Sequence, residues 1–220
     1  HPLVVPSIQN SLLYAAGSTL LDIVLGLAIA WVVVRSNVRG RGILDALVML
    51  PLAVPGLVLA FGYLALSQEG RPFHFLVGIQ DDPTILLVIA YAVRRLPYVV
   101  RSAVAGLQQS NIQLEEAALS LGATPARMMR RVALPLIGAN LIAGGILAFA
   151  FAMLEVSDSL ILAQQAEHFP ITKAIYSLLG TLGNGHELAA ALGVWAMVFL
   201  GISIIGADAL GGKKGGLFRM

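Results

Sequence analysis

Two adjacent carboxylates, Glu115 and Glu116, precede Ala117-Ala118, Gly122 and a basic run of Arg127, Arg130 and Arg131. Exposed carboxylates on a short helix can pair with guanidinium groups of another surface. The helix macrodipole also favours them in a first turn without any partner. Arg127, Arg130 and Arg131 read first as anchors at the start of a membrane span, and second as partner contacts. A different set, Asp22, Arg94, Arg95, Glu155 and Asp158, lies within or at the ends of long apolar runs. Ionisable groups in such runs are costly and are functional candidates by default. Glu155 and Asp158, spaced i, i+3, would share one helical turn. There they could offer oxygen ligands to a hard cation or simply stay solvated. Arg94 and Arg95 would suit an anion, or pair with Asp22. Other chemistries lack their residues. There is no cysteine, and no Gly-x-x-x-x-Gly-Lys-Ser/Thr phosphate loop. The histidines (His1, His74, His168, His186) all fall outside the apolar runs.

The elements that must position these groups are membrane helices. Of 220 residues, 58% are hydrophobic and 12% charged, about half the charge of a soluble domain. The net charge of +2 suits basic cytoplasmic loops and gives no reason to expect a nucleic-acid partner. The sequence divides into spans at roughly 11–34, 43–66, 84–106, 136–154 and 188–210, all in one domain, 1–220. The second carries Pro51 and Pro55-Gly56 and should be kinked. The third contains Arg94, Arg95, Pro97 and Arg101, which either face the bundle interior or snorkel to the surface; continuation through them is favoured. Asp82-Pro83 should start it. Gly138, Gly144 and Gly145 should allow close helix approach in the fourth. Residues 171–182 suggest a short amphipathic helix lying at the membrane interface. In the polar loop 107–135, Ser110 or Asn111 can cap a helix, Ser110 with Gln113 fitting a capping box. Gly122 should end that helix and Thr124-Pro125 start another. The chain opens on His1 and is expected to be part of a longer polypeptide or a processed one.

Orientation follows from lysine and arginine. The 35–42 turn, the 107–135 loop and the tail hold nine of them: Arg35, Arg39, Arg41, Arg127, Arg130, Arg131, Lys213, Lys214 and Arg219. The opposite loops hold Arg71 and Lys173. The basic side is expected in the cytoplasm, with the N-terminus outside and the C-terminus inside.

Glu116-Ala117-Ala118, three residues, Gly122, nine residues and Val132-Ala133-Leu134-Pro135 resemble the EAA loop of binding-protein-dependent ABC importer permeases. Val132 stands where that pattern has isoleucine. The resemblance implies an all-α integral membrane fold, a MetI-like bundle of about five transmembrane helices with a cytoplasmic coupling helix in the inner membrane. It implies that Glu115, Glu116, Ala117, Ala118, Gly122, Leu134 and Pro135 couple the spans to an ATP-binding cassette subunit. That partner would hold ATP and Mg; this chain would need no cofactor and catalyse nothing. Also implied are an extracytoplasmic solute-binding protein, a second permease half or a homodimer, surrounding lipid, and alternating access. Arg94, Arg95, Glu155, Asp158 and Asp22 become candidates for the translocation path. The runs Tyr91–Tyr98 and Glu155–Ser159 are most similar to the second half of iron(III)-type permeases. Relatives for thiamine, phosphonate, sulfate, molybdate and polyamines share the loop. An ion-coupled secondary transporter working through Arg94, Arg95 and Asp22 is the competing class, and it leaves the motif spacing unexplained.

Overall fold

A computed structural model describes residues 2–71, 74, 82–181 and 183–212, without the side chains of 206–212. The basic tail and the Asp208 side chain therefore lie outside the described residues. Every long element among those described is a helix. The first, α1 (Val4–Arg35), starts seven residues before its expected span and carries Arg35 in its last turn.

The expected second span is two helices, α2 (Arg41–Ala53) and α3 (Gly56–Leu66), bent by 104° at their junction. Proline explains the break. Val54, which precedes Pro55, is extended at φ −97°, ψ 131°, because the proline ring disfavours helical backbone one residue earlier. The kink expected in this span is thus a full change of direction at Val54-Pro55, whereas α2 runs on through Pro51.

The helix α4 (Thr84–Gln109) runs unbroken through Arg94, Arg95, Pro97 and Arg101. Its 26 residues extend about 39 Å, enough to cross a bilayer. The Asp82 carboxylate accepts the Thr84 N–H at 2.9 Å and so starts the helix. Arg94 and Arg95 turn towards the bundle interior. Next come α5 (Ile112–Ser120), α6 (Pro125–Met128), one wide π-type turn (Met129–Ala133) and α7 (Leu134–Met153). The last three form one continuous helix from Pro125 to Met153. The chain then breaks and continues as α8 (Ser157–Leu162), α9 (Ile171–Leu179) and α10 (Gly185–Gly212). The buried face of α9, Ile171, Ala174 and Leu178, packs within the chain on α1 and α10.

Among the described residues three helices are long and apolar enough to cross a membrane: α1, Pro125–Met153 and Gly185–Ile205. The α2–α3 pair meets the same test only as a unit. The α4 helix has the length but, with Arg94, Arg95 and Arg101 along it, is not among the helices apolar enough to cross. The described residues thus give three apolar spans, or four with the bent pair, where five are expected.

The centre is the packing of α1, α4 and α7 on one another. Gly144 of α7 permits it: a Cβ there would stand 2.8 Å from the Ser102 Cβ and 3.1 Å from the Val99 Cα. Gly26 of α1 meets the same stretch, 2.9 Å from the Val99 Cγ1. Gly138 has nothing within 4 Å and does not serve the close approach expected of it. Two apolar cores result. One joins Tyr14, Leu87, Tyr91, Met153, Ile171 and Leu178, and the other Ala30, Val99, Val100, Leu107 and Ile137. Along α4, Arg94 and Arg95 fall between them.

Candidate functional site

Nearly all of α5 faces outward, and its form follows from local chemistry. The Asn111 carboxamide oxygen accepts the Gln113 N–H at 2.9 Å and caps the start. Ser110 is not that cap; it closes α4. At the other end the Gly122 N–H donates to the Leu119 carbonyl and the Ala123 N–H to the Ala118 carbonyl, both at 3.0 Å. Gly122 has φ +85°. This is a Schellman ending, and it accounts for three residues between Ala118 and Gly122: Ala118 is the residue whose carbonyl the reversed chain must reach. The Thr124 hydroxyl then accepts the Arg127 N–H, and Pro125 opens the next helix where its missing N–H costs nothing.

The wide turn before Leu134-Pro135 also has a cause. Pro135 has no N–H to give the Arg131 carbonyl, and the Leu134 N–H reaches back five residues to Met129. The result brings the two ends of the motif together. Ala117, Ala118 and Leu121 from one side, and Val132 and Pro135 from the other, line a groove of about 370 Å³. Beside it Glu116 is exposed, and Leu121 is 90% exposed. Leu134 is half-buried against the second core.

The expectation of two exposed carboxylates holds for Glu116 only. Glu115 is the one buried residue of α5. It receives Arg35 at 2.9 Å, so it pairs within the chain and is not available to a soluble surface.

The intramembrane charges are brought together, in a combination that differs from the expected ones. Arg94 donates to both Asp158 carboxylate oxygens, at 3.2 and 2.9 Å, and to the Gly56 carbonyl at 3.0 Å. Arg95 donates to the Glu155 carboxylate and, at 3.0 Å, to the Phe151 carbonyl. Glu155 and Asp158 do not share a turn of one helix: α7 ends at Met153, and Glu155 lies in the break, where its carboxylate accepts the Asp158 N–H at 3.1 Å. Both are buried, Asp158 completely, so neither is solvated at a helix end. Each is held by a guanidinium, which removes the open carboxylate pair suggested for a cation and the free cation pair suggested for an anion.

Asp22 forms neither an ion pair nor a hydrogen bond with them. It is fully buried, and its carboxylate oxygens make no hydrogen bond among the described residues; the same holds for Nε and Nη1 of Arg95. The cluster instead fastens two helix breaks to α4. Gly56 follows the α2–α3 break, and Asp158 follows the α7–α8 break. A Cβ on Gly56 would lie 2.6 Å from the Ser157 Oγ and 2.8 Å from Arg94 Nη1, so any side chain here would have to displace Ser157 or Arg94. The sequence reading passed over Gly56 and Arg35 as site residues. The apposition of Pro55-Gly56 was the available signal for the first, and the final position of Arg35 in a long apolar helix for the second.

Comparison with known proteins places the chain in a family. A family described as binding-protein-dependent transport system inner membrane component matches residues 22–210. The molybdenum transport system permease protein of Haemophilus influenzae is 30% identical over 91% of this chain and 90% of its own length. A putative ferric transport system permease protein of the same organism is 35% identical over 69% of this chain. The sulfate transport system permease protein of Salmonella typhimurium is 34% identical over 74% of it. The matched region spans only 23% of that ferric relative, 21% of a ferric transport system permease protein of Actinobacillus pleuropneumoniae, and 60% of the sulfate one. Two solved structures share the fold. The methionine ABC transporter MetNI gives a TM-score of 0.72 at 16% identity, over 95% of this chain and 94% of that one. A bacterial ABC transporter involved in alginate import gives 0.74 at 21% identity, over 98% and 81%. The chain belongs to the family of binding-protein-dependent transport system inner membrane components.

Proposed function

We propose that this chain is a permease subunit of an ATP-driven importer, with α5 and the turn after it as the element that meets an ATP-binding cassette subunit. The observation that carries this is the groove between Ala117, Ala118, Leu121, Val132 and Pro135, bordered by the exposed Glu116. A largely apolar groove that also carries Arg131, and whose Ala117 follows the exposed Glu116 in sequence, fits a protein surface that offers an apolar knob flanked by charges of both signs. On this reading the groove faces the cytoplasm, the N-terminus of α1 lies outside, and the partner holds the ATP and Mg. A second permease half or a second copy completes the pathway, and a solute-binding protein delivers at the outer face. One relative by fold was solved with an alginate pentasaccharide-bound periplasmic protein, which supports that last partner.

The solute we propose is iron(III), supported by the 35% identity to a putative ferric permease. Molybdate is the second reading, favoured because the match to a molybdenum permease runs nearly end to end. The neutralised cluster at Arg94, Arg95, Glu155 and Asp158 argues for neither ion, so discrimination falls to the binding protein.

Tagging the chain and purifying it from membranes tests the class: an ATPase subunit should be recovered, and Glu116→Ala with Gly122→Val should lose it. Recovery unchanged by both substitutions would overturn the reading. Uptake of radiolabelled ferric iron, molybdate and sulfate by cells with and without the chain then separates the solutes.

A further inference from the structure

Arg35 joins the ends of three helices, α1, α4 and α5. It is the last residue of α1. Its Nε donates to both carboxylate oxygens of Glu115 at 3.1 Å, and its Nη2 to one of them at 2.9 Å. The same Nη2 donates to the Leu107 carbonyl at 2.9 Å and meets the Ser110 hydroxyl at 2.8 Å. Leu107 lies in the last turn of α4, where carbonyls have no partner within the helix. The two side chains are 10% and 5% exposed.

The rest of α5 packs principally on α6 and the wide turn that follow it in sequence. Its single buried residue is therefore the charged one that reaches back to α1 and α4. A buried ion pair is a poor source of stability compared with apolar packing, so stability alone does not account for this one. The planar fork of arginine can hold a carboxylate and a carbonyl at once, which a lysine ammonium cannot reproduce.

We infer that Arg35 is a positioning residue for energy coupling: through Glu115 and the end of α4 it makes α5, α1 and α4 one rigid unit. Displacement of α5 by a partner is then delivered to the centre of the bundle. This rests on α5 being the docking helix.

The test uses the complex with its co-purified ATPase. The chain has no cysteine, so spin labels can be placed at Gln113→Cys on α5 and Leu25→Cys on α1, both exposed, with labelled chain diluted into unlabelled. The distance distribution between them is measured without nucleotide and after trapping with Mg-ATP and vanadate. With Arg35 and Glu115 intact, the distribution is expected to be the same in both states. Arg35→Gln and Glu115→Gln should shift or widen it on trapping, and Arg35→Lys should fall between.

A nucleotide-dependent change in the intact protein overturns the inference. So does an unchanged distribution in Arg35→Gln with the ATPase still bound, whatever happens to the melting temperature. If the glutamine variants do not accumulate, Arg35→Lys decides, and wild-type behaviour there overturns the inference. The two readings fail separately. Intact ATPase recovery in Glu116→Ala and Gly122→Val removes the docking helix itself, whereas loss of recovery there, with no shift in the Arg35 variants, removes the clamp alone.

Discussion

Gly122 allows a prediction that separates backbone strain from contact. Its φ is +85°, and a Cβ built on it finds nothing within 4 Å. Replacement by alanine therefore costs no packing and meets only the penalty of left-handed backbone, about 1–2 kcal/mol. Because the position is exposed, the free loop can relax by leaving α5 along another path. A partner that binds the native bend must then restore it, so the strain appears in docking. At about 1.4 kcal/mol per tenfold, Gly122→Ala should weaken association with the ATPase subunit roughly 5- to 30-fold. Gly122→Asn should do less, since asparagine tolerates this conformation better, and Gly122→Val more. The melting temperature of the isolated chain should stay near wild type. Titration of purified permease with the ATPase in detergent, scored by co-elution, is the assay. Equal affinities for the glycine, asparagine, alanine and valine forms would refute the reasoning.

Further expectations concern the interior and the start of α4. Arg95→Leu leaves Glu155 buried with its main partner gone and should cost about 3–5 kcal/mol. The double change with Glu155→Leu should regain most of that loss in thermal unfolding. Gly56→Ala forces a methyl against Ser157 and should cost about 1–3 kcal/mol, with Ser157→Gly relieving it, read by the same unfolding measurement. Hydrogen bonding by Thr84 holds the Asp82 carboxyl below the usual carboxylate range, despite some burial. A depressed value means that the stabilisation is present above the unfolded pKa of about 3.9 and lost as pH falls through the folded one. Asp82→Ala should thus lower the melting temperature at neutral pH, by a cap's worth of about 1 kcal/mol. The gap to wild type should close in strong acid; a gap independent of pH would contradict this.

Local chemistry was legible residue by residue. Pro55 dictated extended backbone at Val54, Thr124-Pro125 a helix start, and Gly122 a helix end. In each case the cause lies within a few bonds of its effect. The EAA spacing was legible as a pattern, and its geometry follows from how a Schellman ending reaches back to Ala118. Partner choice was not legible. Glu115 and Glu116 are chemically identical neighbours, but successive residues on a helix point about 100° apart, so only the seating of α5 against Arg35, 80 residues away, turns one inward and leaves the other exposed. Arg94 and Arg95 had Asp22, Glu155 and Asp158 as possible counter-charges. The rotation of α4 against α7 and the break after Met153 selected the last two. Sequence by itself determined the helix starts and stops that proline, glycine and capping residues dictate locally, and the spacing of the EAA motif. Tertiary structure alone decided which charges meet, because a long-range ion pair depends on helix rotation and depth, and neither is encoded in the side chains that form it.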